Sequence, residues 1–151
     1  MRSMHTSMNA SSARLPALLL LAAASCGEPA ATLAPPSVDV SGPWAGTLVS
    51  TTPRGDPVYG AYLARLSLLQ TGAQVSGTYA TDIGIGGRVV SGYVTADRVT
   101  LSISTSECAG TLQLTGTVRQ PEGGAAEVDV TLSGQTDCAG EREDRGTLVH
   151  R

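Results

Sequence analysis

The sequence lacks large aromatic side chains and long apolar runs. It contains no Phe, one Trp and four Tyr among 151 residues, so any core is built mainly from Val, Leu, Ile and Ala. No apolar run reaches the roughly 20 residues of a transmembrane helix. Eighteen Gly and eight Pro leave little room for long helices and indicate many turns. The length suits a single small domain.

Residues for catalysis are equally scarce. The two histidines, His5 and His150, lie near opposite ends of the chain, and no GxSxG motif is present. A hydrolase triad needs a histidine base, and His150 is interpreted as a strand-end residue. The stretch GIGG at Gly84 is interpreted as a hairpin turn, because neither a helix nor a lysine follows it. We therefore predict that the protein is not an enzyme and uses no cofactor or metal.

The first 25 residues have the organisation of a signal peptide. Arg2 and Arg14 supply positive charge, residues 15–24 are apolar, and small residues lead to Cys26. The ending AAASC resembles the lipobox of bacterial lipoproteins, although Ala23 stands where that family prefers Leu. The resemblance implies that Cys26 is acylated and anchors the protein in the lipid bilayer of the cell envelope. Gly27 then implies the outer membrane, with the domain in the periplasm or at the cell surface. The alternative is an ordinary cleaved signal followed by an incidental cysteine.

Residues 26–41 are predicted to be a lipidated, flexible tether, because proline, alanine and small polar residues cannot form a core. Without the leader, eight arginines face thirteen acids, a net charge of about −5. There is no basic stripe, so we do not expect nucleic-acid binding.

Residues 42–151 alternate between apolar and polar side chains with the period of a β-strand. We predict strands at residues 44–51, 62–70, 74–81, 88–95, 98–105, 110–120, 126–135 and 146–150. Their short connections indicate an antiparallel meander, and closure into a barrel removes exposed edges. The first and last strands share the tetrapeptide GTLV, as neighbours in a closed sheet can. The fold prediction is all-β: an eight-stranded up-and-down barrel.

Four strands contain a hydroxyl residue followed by glycine. Period two places Gly77, Gly92, Gly116 and Gly134 on the same face as their apolar neighbours Val75, Val90, Leu114 and Leu132. Glycines that point inward let a strand bend sharply around a small barrel. Turn glycines, or close packing between two flat sheets, are the alternatives.

Cys108 and Cys138 both occur as CAG, after the fifth and seventh predicted strands. The loops after odd-numbered strands of a meander lie at one end of the barrel. With Cys26 acylated, these are the remaining thiols of an exported, oxidised protein, so we predict a disulfide.

The longer connections all fall at the end that carries the two cysteines, and a site is expected there. Tyr59, Tyr62 and Asp82 are the candidate residues of this rim, with the tyrosines either contacting a partner or plugging the barrel mouth. The segment TDCAGEREDR collects acids near Cys138. Because Arg142 and Arg145 interrupt them, we interpret it as a solvated, self-paired loop rather than a calcium site.

An early W-x-G, followed by SGTY in a glycine-rich meander, resembles the lipocalin and avidin type of barrel. The avidin biotin-contact pattern is not recognisable, so biotin binding is not implied. In plan, the chain is also similar to bacterial lipoproteins that inhibit c-type lysozymes. These resemblances imply a non-catalytic module that binds a small apolar ligand or an envelope protein. A structural, assembly or inhibitor role carried by the surface is the alternative.

Overall fold

The computed structural model describes residues 34–52 and 54–151. The signal peptide, Cys26 and the first half of the predicted tether lie outside the described residues. Eight strands follow one another along the chain: β1 (Gly42–Thr51), β2 (Pro57–Thr71), β3 (Gln74–Thr81), β4 (Gly86–Thr95), β5 (Arg98–Thr105), β6 (Gly110–Arg119), β7 (Glu127–Thr136) and β8 (Gly140–His150). No helix of the described part is long and apolar enough to cross a membrane.

Each strand pairs antiparallel with the next, and β1 pairs with β8, so the sheet closes into the predicted barrel. The connections β1–β2, β3–β4, β5–β6 and β7–β8 lie at one end, which we call the rim. The other three connections lie at the opposite end, which we call the base. Two predicted strands were too short: β2 begins at Pro57 rather than at residue 62, and β8 begins at Gly140 rather than at residue 146.

The two GTLV segments lie side by side where β1 and β8 close the barrel. Leu48 pairs with Gly146, and Leu148 packs beside Gly46. A Cβ at either glycine would overlap a backbone carbonyl oxygen of the other strand. Glycine at both positions therefore allows the close approach that joins the two ends of the sheet.

The inward orientation of the four strand glycines is confirmed. A Cβ on Gly92 would contact the buried side chains of Val75 and Leu101, and one on Gly116 would contact Val128 and Val130. The prediction that Val90 shares their face was wrong, because Val90 is 54% exposed.

The physical reason for this error is a β-bulge. The pairing between β4 and β5 shifts register between Val89 and Ser91. The extra residue reverses the alternation, so that Val89 and Val94 point inward on either side of it.

The core consists almost entirely of aliphatic side chains from all eight strands. Leu48, Leu101, Ile103, Leu112 and Leu132 are completely buried in it. Trp44 is buried at the base, where its ring meets His150 edge-on at 5.0 Å between centroids. The barrel is thus closed with one Trp and no Phe.

Residues 35–41 cover the base, which corrects the prediction that the tether extends to residue 41. Val40 is buried, its carbonyl accepts the Trp44 Nε1–H at 2.8 Å, and its N–H donates to Gln70 Oε1 at 2.9 Å. Pro36 bridges Ala96 in the β4–β5 turn. Two valines and the Gln70 amide provide apolar burial and hydrogen bonds that the proline-rich composition concealed.

Candidate functional site

The rim is braced by the predicted disulfide. Cys108 in the β5–β6 connection and Cys138 in the β7–β8 connection are bonded, with their Cα atoms 5.4 Å apart. The Thr105 hydroxyl donates to the Cys108 carbonyl at 2.5 Å, which ties the bridge to the end of β5. The two connections therefore form one cross-linked unit.

Below the rim, the barrel interior contains a buried polar cluster. It consists of Arg142 and Asp144 on β8, with Tyr59 and Tyr62 on β2 and Tyr79 on β3. The Nε of Arg142 lies 3.3 Å from Oδ2 of Asp144, and both side chains are completely buried. A buried pair of opposite charges keeps the interior electrically neutral.

The two deeper tyrosines extend this ion pair into a hydrogen-bonded chain. The Tyr62 hydroxyl donates to Asp144 Oδ2 at 2.6 Å and lies 3.2 Å from the Tyr79 hydroxyl. Since Tyr62 uses its single proton on Asp144, Tyr79 is the donor in the second bond. Burial, together with the neighbouring Tyr79 and Asp144, raises the pKa of Tyr62 far above its usual range. Burial also raises the pKa of Tyr79.

Arg142 occupies the outermost layer of the cluster. Its guanidinium carbon lies 5.4 Å from the centroid of the Tyr59 ring, within the range of a cation–π contact. The three guanidinium nitrogens have no hydrogen-bond partner among the described residues, nor do the buried hydroxyls of Ser50, Tyr59 and Thr136. Coulomb attraction to Asp144 and the ring of Tyr59 are thus the contacts that hold this charge inside the barrel.

The prediction that TDCAGEREDR is a solvated loop was wrong for Arg142 and Asp144. These residues belong to β8, and strand alternation turns both inward together with Leu148. The outward partners do pair at the surface, where Arg145 Nε donates to Glu143 Oε1 at 2.6 Å. The sequence did contain a signal for this, because the alternation of inward and outward side chains continues through the charged segment of β8.

The three candidate rim residues have different positions. Tyr62 is buried inside the barrel, and Tyr59 is half-buried against the core, so neither ring is freely exposed. Asp82 is exposed, but its Oδ1 accepts the Leu63 N–H at 2.8 Å and extends the pairing of β2 with β3 at the rim. The structure brings Tyr59 and Tyr62 together with Arg142 and does not add Asp82 to that cluster.

Four residues of the cluster are buried from solvent: Arg142, Asp144, Tyr62 and Tyr79. His150 lies far from them along the barrel, at the base, with its Nε2 3.0 Å from the Ser41 carbonyl. No group of three or more His, Cys, Asp or Glu within residues 34–52 and 54–151 could hold a metal ion.

The apolar half of the interior is filled. The cavity between Val40, Trp44, Leu66 and their neighbours measures about 10 Å³. A drug-sized ligand needs roughly 300 Å³ or more. Comparison with protein-family models, with curated proteins and with solved structures found no match to this chain.

Proposed function

We propose that this protein is a membrane-anchored bacterial lipoprotein of the cell envelope whose barrel is a non-catalytic module that binds a protein partner at its rim. The anchor is supported by the lipobox-like ending AAASC and the signal peptide before it, with Cys26 as the acylated residue. Residues 42–151, closed at the base by residues 35–41, form the module.

The filled interior is the observation that carries this choice. An internal cavity of about 10 Å³ argues against an apolar ligand held inside, as lipocalin-type barrels would hold one. Binding therefore uses the outer surface. At the rim, the disulfide between Cys108 and Cys138 limits loop motion, which lowers the entropy cost of binding.

The charge of the rim favours a basic partner. Asp56, Asp82, Glu107 and Asp137 are exposed in its connections, against the single arginine Arg54. Hydrogen bonds from the Ser106 hydroxyl and the Gly86 N–H hold the pKa of Glu107 below its usual value. Complementary charge mainly speeds association and selects among partners.

A structural or assembly role on the outer wall is the second candidate. It is favoured by Leu69, Val90 and Tyr93, which are exposed on β2 and β4 although each is large and apolar.

Native mass spectrometry and cross-linking of the acylated protein, purified from its host, test the proposal. We expect the mass of an acylated N-terminal peptide and cross-links from the rim to a basic protein. Asp56→Asn with Asp137→Asn should weaken that complex, whereas the matched change Glu122→Gln in the β6–β7 connection at the base should not. Co-purification of one small apolar molecule per chain, or cross-links that survive the rim changes unaltered, would contradict rim binding.

A further inference from the structure

The outer wall formed by β2–β5 differs in charge from the rest of the barrel. Within these four strands there are three arginines, Arg65, Arg88 and Arg98, all exposed, and no acidic residue. On the outer face of β7 and β8, acids outnumber arginines: Glu127, Asp129, Glu141 and Glu143 against Arg145. The strands β2–β5 therefore carry a net positive charge in a protein that is acidic overall, while Asp82 and Asp97 lie in the connections at their two ends.

The same wall holds three of the large apolar side chains that are exposed. Leu69 is 62% exposed, Val90 54% and Tyr93 48%. On the neighbouring strand β3, Leu69 pairs with Ser76 and Tyr93 pairs with Gln74. These short or polar partners leave Leu69 and Tyr93 exposed. The bulge in β4 turns Val90 outward, and the β3–β4 pairing shifts register beside it.

A groove of about 350 Å³ runs along this irregular stretch of the wall. It is lined by Leu69 and Val90 together with the polar side chains of Gln74 and Ser76. The groove is amphipathic rather than wholly apolar.

The wall adjoins the point where the N-terminal chain reaches the barrel. Pro36 bridges Ala96, which lies in the turn between β4 and β5, three residues after Tyr93 and two before Arg98. Seven residues separate Cys26 from Ala34. They span at most about 28 Å when fully extended. A bilayer that holds Cys26 would thus lie within reach of this wall.

We propose that the β2–β5 wall docks on the surface of the bilayer that holds the anchor, with a preference for anionic phospholipids. This inference rests on the acylation of Cys26 in the proposed function. Arg88 and Arg98 meet lipid phosphates, and Tyr93 lies at the headgroup level, where an amphipathic ring is favoured. Leu69 and Val90 enter the boundary of the acyl region.

Few contacts suffice, because the anchor keeps the wall at a high effective concentration near the lipid. The barrel then lies on its side, and the rim remains free for a partner. Three arginines with no acid in these strands favour an anionic lipid surface over the assembly role, which is the other interpretation of the exposed apolar residues on this wall.

Photolabelling of the acylated full-length protein in lipid vesicles tests this docking. The vesicles contain phosphatidylethanolamine with either phosphatidylglycerol or phosphatidylcholine, and a trace of a lipid with a diazirine in its headgroup region. With phosphatidylglycerol, we expect labelling of residues 88–98 to exceed that of residues 127–145 at least about fivefold. The excess should shrink with phosphatidylcholine.

Two sets of variants separate the contributions. Arg88→Gln with Arg98→Gln should reduce the excess found with phosphatidylglycerol to the level found with phosphatidylcholine, and so remove the preference for the anionic lipid. Leu69→Ser, Val90→Ser and Tyr93→Ser together should lower labelling with either lipid. Val49→Ser is the matched control, because Val49 is 50% exposed on β1, outside the wall. Near-ultraviolet circular dichroism verifies that each variant is folded.

The possible failures are distinguishable. An acylated protein whose labelling is uniform around the barrel would overturn the docking and leave the proposed anchor intact. A protein whose N-terminal peptide carries no acyl chain would overturn the anchor and the docking together. Protection of the wall in native membranes but not in pure lipid vesicles would identify a protein as its partner, and would also overturn the proposal.

Discussion

Arg142 and Asp144 lie on the same strand with one residue between them, and the Nε of one is 3.3 Å from the Oδ2 of the other inside the barrel. Both side chains are completely buried. Strand alternation turns both inward, so a single stretch of β8 supplies both charges of the pair. Each of these charges is shielded from water, so its partner is the group that compensates the cost of burying it.

Removing one charge of this pair should be costly. We expect Asp144→Ala to lower the free energy of unfolding by about 3–5 kcal/mol, since it leaves Arg142 buried and uncompensated. Glu143→Ala is the matched control on the outer face, where its pair with the exposed Arg145 should contribute less than about 1 kcal/mol. Urea unfolding followed by circular dichroism measures both.

A double change distinguishes charge from packing. Arg142→Met with Asp144→Leu should recover much of the stability lost by Asp144→Ala, because well-packed apolar side chains can replace a buried ion pair. If the double variant has a lower free energy of unfolding than Asp144→Ala, the ion pair stabilises the barrel through its own interactions and not only by neutralising a buried charge.

The buried phenols predict a loss of stability at alkaline pH. The pKa values of Tyr62 and Tyr79 are raised by burial, whereas both groups ionise near pH 10 in an unfolded chain. The folded state therefore retains protons that the unfolded chain releases. This contribution to the free energy of unfolding is complete below about pH 10 and falls as the pH rises above it.

Urea unfolding between pH 8 and 11.5, with phenolate absorbance at 295 nm, measures this dependence. The slope should be smaller in Tyr62→Phe with Tyr79→Phe. Ionisation of both tyrosines near pH 10 while the barrel remains folded would refute the expectation.

Much of the barrel could be predicted from the alternation of side chains. The strand β5 can be recognised without reference to any other strand. Its buried residues Val99, Leu101 and Ile103 alternate with hydroxyl residues at positions 100, 102 and 104. The alternation failed at Val90, where a one-residue bulge depends on how β3, β4 and β5 fit together.

The polar cluster was harder to predict. The charged segment that supplies Arg142 and Asp144 resembles a solvated loop. Only the alternation of the strand, which places both residues on the same face as Leu148, shows that they point inward. Its central contact joins Tyr62 on β2 to Asp144 on β8, strands that are not paired with each other, so no local pattern contains it.

Close packing between β6 and β7 should make Gly134 sensitive to substitution. A Cβ at this position would overlap the Thr111 carbonyl oxygen and lie 3.2 Å from Leu112 Cδ2. We expect Gly134→Ala to cost about 1–3 kcal/mol, as other overpacked positions do. Gly123→Asn in the β6–β7 connection is the control, because φ there is 71°, the space is open, and Asn tolerates this conformation. Equal melting temperatures for the two variants would contradict the expected crowding.

The segment at the base offers a spectroscopic test, because Trp44 is the only tryptophan and is buried beneath it. The Gln70 side chain accepts the Val40 N–H at 2.9 Å and donates to the Val38 carbonyl at 3.2 Å. Gln70→Ala leaves these backbone groups without partners, and each unsatisfied group costs about 1–3 kcal/mol. We expect the segment to loosen and the Trp44 emission to shift to longer wavelength, whereas Gln74→Ala, on the outer face of β3, should leave it unchanged. A blue emission maximum that persists in Gln70→Ala would mean that the valines alone hold the segment, and Val40→Ser should then produce the shift.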